Sequence, residues 1–176
     1  MSSMRVLILG VLLNDPMNGY GVRRRLEGMS ADVWASVAYG SIYHGLGKMA
    51  DEGLLEIVEG GKGGKGVYAI TEAGREEFQR LLLKAWHEVR PIIDPFQVAL
   101  TFMDKLEKQE LLSALHGRMA QLKMGVETMG HIMDVKHHHS APRHIRENLL
   151  LTRAMLQAQL DWVEKAIPRV EADELP

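Results

Sequence analysis

Residues 39–71 read YGSIYHGLGKMADEGLLEIVEGGKGGKGVYAIT, and a change of period inside this stretch decides the fold. Ile42, Leu46 and Met49 recur at helical spacing, and Gly53 stands where a left-handed residue closes a helix, which predicts a helix from about Tyr39 to Glu52. Leu54 to Glu59 and Val67 to Ile70 then run or alternate with β-branched residues, the signature of two strands. Between them lies Gly60-Gly61-Lys62-Gly63-Gly64-Lys65-Gly66, a loop that neither a helix nor a packed strand would choose. A helix feeding a β-hairpin with a long glycine-lysine tip is the local answer.

Working outward, Met4 to Leu13 is an apolar, buried helix stopped by Asn14-Asp15-Pro16. Asn18 is placed to cap a second helix, Gly19 to Met29, with Tyr20, Val22, Leu26 and Met29 mostly on one face and Arg23, Arg24 and Arg25 over the other side. Ser30 to Ala38 is ambiguous. After the hairpin, Thr71 caps a helix whose first turn carries Glu72 and which runs towards Trp86 until Pro91 interrupts. Three helices and a hairpin in this order make a winged helix-turn-helix, assigned to residues 1–75 and present once, so that one chain reads one half-site.

Residues 76–176 read as helical, giving a mainly α chain. After a short element around Phe96 to Met103, Leu112, Leu115, Met119, Leu122, Val126, Met129 and Met133 follow a heptad pattern. A turn at His137 to Pro142 precedes a last helix bearing Ile145, Leu149, Leu156, Leu160, Val163, Ile167 and Val170. The two long helices can pair as an antiparallel hairpin, each with more apolar surface than one partner needs. A helical dimerisation domain is therefore expected, with Leu112, Met119, Leu149, Leu156, Leu160, Val163 and Ile167 at a homodimer interface.

The chain has 176 residues, 46% of them apolar, and no cysteine, which excludes a disulfide scaffold, a thiol nucleophile and any thiolate metal site. No apolar run approaches a membrane span and no cleavable leader is apparent, so a cytoplasmic protein without a membrane partner is expected. Hydrolase, metalloprotease and phosphate-loop signatures are missing, and neither an enzyme nor a cofactor is expected. Net charge is −2, and residues 1–75 hold 8 basic and 8 acidic residues, leaving 13 of the 21 and 15 of the 23 for the remainder. Bulk charge thus counts against a nucleic-acid partner, and any such reading must come from the distribution of a few cations.

That distribution is suggestive in the third helix. Tyr39, Ser41, Tyr43, His44 and Lys48 are expected to face outward, offering hydroxyls, an imidazole and an ammonium. Gly40, Gly45 and Gly47 cost about 1 kcal/mol each against alanine inside a helix, and close approach to a phosphate-lined groove would justify them. The competing reading is tight packing against the first two helices, with the tyrosines half-buried. Lys62 and Lys65 at the hairpin tip suit a phosphate run or minor groove, against an ordinary solvated loop. Of Arg23, Arg24 and Arg25, consecutive on a helix, at most two can face a duplex; Arg23 and Arg24 are taken as the contacts.

Five blocks in order carry a resemblance: Leu9-Gly10-Val11-Leu12, Met17-Asn18-Gly19-Tyr20-Gly21, Tyr39-Gly40-Ser41-Ile42-Tyr43, Glu52-Gly53-Leu54-Leu55 and Val67-Tyr68-Ala69-Ile70-Thr71-Glu72-Ala73-Gly74-Arg75. Together they resemble the PadR family of bacterial transcriptional regulators over about the first 75 to 85 residues. The resemblance implies a dimeric winged-helix protein, usually a repressor, whose operator affinity is often relieved by a small molecule. Two departures matter. His44 stands where many members carry proline, and Lys62-Gly63-Gly64-Lys65 replaces an arginine-proline-arginine-like wing. Lysine loses the planar bidentate fork, so this wing should position on phosphates while the third helix reads bases.

His137-His138-His139 with His144 is read as a polar turn rather than a metal site, because adjacent residues rarely converge and no carboxylate orients them at helical spacing. Trp86, Phe96 and Trp162, with eleven methionines, could be plain core or could line a pocket for a small aromatic effector. The resulting expectation is a homodimeric, ligand-responsive repressor on double-stranded DNA with a palindromic operator. A winged helix serving as a protein-interaction module is the main rival, and a drug sensor a second.

Overall fold

The apolar start folds as α1, Ser3–Val11, and hides Ile8, Leu9 and Val11. In the computed structural model, which describes residues 3–35, 38–60, 66–89, 91–138 and 143–176, the chain divides into two compact units, Met1–Arg90 and Pro91–Pro176. The boundary expected after residue 75 would cut a helix, α5 (Glu72–His87), which packs on α1 and so belongs with the first unit.

In that first unit β1 (Met17–Asn18) leads directly into α2 (Gly19–Gly28), whose cap is the one expected: the Asn18 side chain accepts from Gly21 N–H at 2.8 Å. The ambiguous stretch holds a single turn, α3 (Ala31–Trp34), entered through Ser30 at a positive φ of 55°. The third helix expected from the sequence is therefore α4, Ser41–Asp51, two residues shorter at its start than predicted. It ends as predicted, on Gly53 with φ +76°: Gly53 N–H donates to Ala50 O and Leu54 N–H to Met49 O, which satisfies the last carbonyls and turns the chain into β2 (Leu55–Glu59).

Strands β2 and β3 (Val67–Ile70) pair antiparallel, Leu55 opposite Ile70 and Ile57 opposite Tyr68, with a bulge before Glu59. β1 adds to the other side of β3, Met17 opposite Tyr68, making a sheet in the order β1-β3-β2 that sequence periodicity could not reveal from two residues. Thr71 ties the hairpin base to α5. Its hydroxyl donates to Gly53 O at 2.8 Å and accepts from Gly74 N–H at 3.1 Å. Gly74 is required there, since a Cβ would sit 2.2 Å from Leu54 O. Ile8, Leu9, Leu12, Val22, Leu26, Ile42, Leu46 and Tyr68 form the core that all these elements enclose.

The second unit opens with α6 (Pro95–Thr101), capped by Asp94, which accepts from Phe96 N–H at 2.9 Å, and a 3₁₀ turn, Met103–Lys105. Then come α7 (Lys108–His138) and α8 (Arg143–Glu171), the expected hairpin. Leu111, Leu115, Leu122 and Val126 of α7 meet Leu160, Val163, Ile167 and Val170 of α8. Among the described residues no helix is long and apolar enough to cross a membrane.

Candidate nucleic-acid interface

Helix α4 turns Ile42, Leu46 and Met49 into the core and leaves Ser41, Tyr43, His44 and Lys48 exposed. Ser41 secures the helix start, its hydroxyl donating to Ala38 O at 2.7 Å. Ser41, His44 and Lys48 line one wall of a cleft of about 230 Å³, with Met4 and Arg5 of α1 opposite. Arg5 was not singled out by sequence, because nothing in the spacing of α1 says that it faces α4. Its guanidinium is held by Glu52 and lies 3.8 Å from Glu77.

The glycines of α4 divide in a way that sequence could not anticipate. Gly45 packs on α1, where a Cβ would come within 2.9 Å of Ile8 Cδ1, so packing accounts for it. Nothing lies within 4 Å of a Cβ at Gly40 or Gly47. No internal contact of the first unit demands these two.

Tyr39 departs from the outward position expected of it. It precedes α4 in a turn and packs half-buried against the core, its hydroxyl enclosed without a hydrogen-bond partner. Burial pushes its phenol above the ordinary value, reinforced by the Asp32 and Glu27 carboxylates and opposed by Arg23, whose guanidinium lies 5.3 Å over the ring. Tyr43 is 42% exposed, and its ring lies over Gly19, where a Cβ would meet Cε1 at 2.4 Å. Glycine at the start of α2 thus seats the tyrosine of α4.

Most arginines here already have acidic partners. Arg23 Nε donates to Glu27 at 2.7 Å, which together with the charge of Glu27 holds the guanidinium above its ordinary pKa. Arg24 reaches the same carboxylate at 3.8 Å, Arg25 reaches Asp15 at 3.6 Å, and Arg75 donates to Leu13 O at 3.1 Å. Lys48 has no ion pair among the described residues. Lys62 and Lys65, the expected wing contacts, lie outside the described residues.

The helix before the β-hairpin thus presents an exposed polar face and is backed by a closed core. Residues 8–80 match the model of the transcriptional regulator PadR-like family. Over that stretch the chain is similar to PadR-like regulators. A curated relative, the negative transcriptional regulator PadR of Bacillus subtilis (strain 168), is 25% identical over 192 residues, spanning 97% of this chain and 100% of its own. The solved structure of Bacillus subtilis PadR in complex with operator DNA matches with a TM-score of 0.80 at 21% identity, over 97% of this chain and 98% of that one. The same regulator in complex with p-coumaric acid matches with a TM-score of 0.83 at 20% identity, over 96% and 98%. The fold, a winged helix followed by a helical unit, is thereby shared, and these relatives are regulators rather than enzymes.

The stretch similar to that family ends within α5, and beyond it lie the remaining expected site residues. Phe96 and Trp162 meet edge to face, centroids 5.7 Å apart, whereas Trp86, in the first unit, is 80% exposed. Sequence missed what covers Phe96: Arg118 lies 3.4 Å over its ring, donates to Gln159 Oε1 at 2.6 Å and stands 3.7 Å from Asp94. Its Nε is enclosed without a partner. A small cavity of about 80 Å³ adjoins this group, lined by Phe96, Met103, Leu106, Leu115 and Arg118.

Of the residues expected at a dimer interface, Leu149, Leu160, Val163 and Ile167 are buried within a single chain, and Leu112, Met119 and Leu156 are half-buried. Heptad spacing locates an apolar face but does not say whether a partner helix or a partner chain covers it, and here the hairpin covers much of it. His144 is exposed and His139 lies outside the described residues; among those described, no three His, Asp or Glu side chains gather to hold a metal.

Proposed function

We propose that the protein is a homodimeric, DNA-binding transcriptional regulator, a ligand-responsive repressor that reads an inverted-repeat operator in double-stranded DNA through α4. The observation that carries this reading is Gly47, with open space beyond it on a helix whose exposed side chains are short, polar or cationic, and with Gly40 equally open at that helix's N-cap. Two glycines that no packing requires are explained by close approach of another backbone. Ser41, Tyr43, His44 and Lys48 then face the groove, with Arg23, Arg24, Lys62 and Lys65 on phosphates. Tyr39 supports the start of α4 from behind. The DNA complex of the Bacillus subtilis relative supports the same reading.

A second chain would cover what one chain leaves exposed in the second unit, including Ile92, Ile93, Val98 and Phe102. Two-fold symmetry then places two reading helices about 34 to 36 Å apart, or a multiple of that, and half-sites about 10 base pairs centre to centre. For the effector we favour a small aromatic acid, the chemistry of p-coumaric acid, near Phe96, Trp162 and Arg118. The small cavity there is well below the roughly 300 Å³ and more of ligand pockets, so a further surface has to complete the site. Work on DNA puts the protein in the cytoplasm.

Incubating the purified chain with a random duplex pool and sequencing what is retained tests the reading: an enriched palindrome is expected. No enrichment at low salt would favour a protein-interaction module, for which the extensive pairing of arginines with carboxylates is the supporting observation. Lys62→Ala with Lys65→Ala should weaken the complex and flatten its salt dependence; unchanged values would remove the wing from the interface.

A further inference from the structure

On one side of α2, Arg23, Arg24 and Glu27 fall at i, i+1 and i+4, and the glutamate serves both arginines. Its Oε1 accepts from Arg23 Nε at 2.7 Å, and its Oε2 lies 3.8 Å from Arg24 Nη1. All three side chains are at the surface, and the Arg23 guanidinium also lies over Tyr39, the residue that leads into α4. A carboxylate presents to an arginine fork what a phosphate presents, two adjacent acceptor oxygens. We propose that Glu27 is a built-in competitor for the DNA backbone, holding Arg23 and Arg24 in the free protein and yielding them to phosphates on the operator. The proposal rests on the DNA-binding reading above and names what limits its affinity.

The thermodynamics distinguish this device from an ordinary helix-surface ion pair. An unpaired arginine that meets a phosphate releases a condensed cation from DNA, and log K falls with log salt by about 0.9 per contact. An arginine that must first leave Glu27 frees a carboxylate, which gathers a cation of its own beside a polyanion. Part of the release is cancelled, and the complex is both weaker and less salt-sensitive than its count of arginines implies. Affinity held down in this way can be broken by the roughly 5- to 150-fold change typical of effector coupling.

The test compares the full chain with E27Q, and with E174Q, which removes one charge from the exposed Arg169–Glu174 pair of the second unit. Fluorescence anisotropy on the duplex recovered from the random pool is measured across a salt series, and thermal unfolding is recorded for each protein. E27Q should bind roughly 3- to 30-fold tighter at low salt, as expected for releasing four surface ion pairs per dimer, two in each chain. Its log–log salt slope should steepen by up to about 2 per dimer. E174Q should match the parent on both counts. The double variant R24Q/E27Q gives an independent reading: Arg24→Gln should weaken binding more in the E27Q background than in the parent.

E27Q that binds no tighter than the parent at an unchanged melting temperature would overturn the proposal, as would an equal gain from E174Q, which would reduce the effect to net charge. An Arg24→Gln loss of the same size in both backgrounds would overturn it even if E27Q were poorly folded. A parent that retains no duplex at all overturns the DNA-binding reading, and this proposal with it. A parent that binds while E27Q changes nothing overturns this proposal alone.

Discussion

The two units bury apolar residues to different degrees, and the difference follows from how many sides each core has. In the first unit Ile8, Leu9, Val22, Leu26, Ile42 and Leu46 are fully buried, because helices on several sides and a sheet enclose them. In the second, a pair of long helices encloses one seam, and Val98, Phe102, Met124 and Leu151 are 57% to 62% exposed. A hairpin of two helices has one shared face, so any wider apolar stripe is left over. The first unit thus closes a core of its own and leaves its exposed apolar side chains mainly around the end of α5, at Leu83, Trp86 and Val89, while the second carries such side chains along the helices that form its single seam.

The largest effect should come from opening the closed core. Leu46→Ala removes a fully buried side chain from the inner face of α4 and should cost about 2 to 5 kcal/mol, read as a lowered urea midpoint with an unchanged slope. The comparison breaks if Leu46 behaves like a surface residue. Next is the exposed set of the second unit. Val98→Asp with Phe102→Asp alters positions that one chain alone leaves in solvent, so unfolding of the separated chain should move by no more than about 0.5 kcal/mol, while light scattering shows the dimer dissociating at concentrations where the parent does not and the stability supplied by association is lost with it. A dimer of undiminished stability would take this patch out of the interface.

A sharper separation of folding from reading lies within α4 itself. Gly47→Ala meets no neighbour and should stabilise the helix by up to about 1 kcal/mol, yet it should weaken DNA binding because the added methyl stands off the groove. Gly45→Ala presses on the flexible end of Ile8 and should do the reverse, lowering stability slightly and leaving DNA affinity as it was. Lys48→Ala should leave the melting temperature unchanged and reduce the salt slope by up to about 2 per dimer. If Gly47→Ala binds as the parent does, close approach is not what the glycine is for.

What could be read from sequence followed from local rules with one physical solution. Asn18 and Thr71 cap the helices expected of them, Gly53 takes its left-handed turn, and the strands at 55–59 and 67–70 announce themselves by period. The rest depends on contacts between residues far apart in the chain. Met17 and Asn18 are strand only because Tyr68 and Val67 lie opposite them. Tyr39 turns inward because Arg23 and the core receive it, and Arg118 reaches Phe96 across 22 positions. The stripe of Leu160, Val163 and Ile167 was legible as apolar, but not as already covered within one chain.

The smallest effect expected is at Tyr39, and its sign is informative. The hydroxyl is enclosed without a partner, so Tyr39→Phe removes a polar atom that gains nothing from burial, and stability should be unchanged or rise by less than about 1 kcal/mol at neutral pH. Because burial raises the phenol's pKa in the folded chain, folding favours its neutral form. That contribution is complete below the unfolded value near 10 and is lost as pH rises through the higher folded value. The difference in urea midpoint between the parent and Tyr39→Phe should therefore be flat from pH 6 to 9 and then widen in favour of phenylalanine above about pH 10. Tyr43→Phe, at an exposed ring, should instead weaken DNA binding. If the two tyrosines exchange these signatures, the inner and outer faces assigned to the start of α4 are the wrong way round.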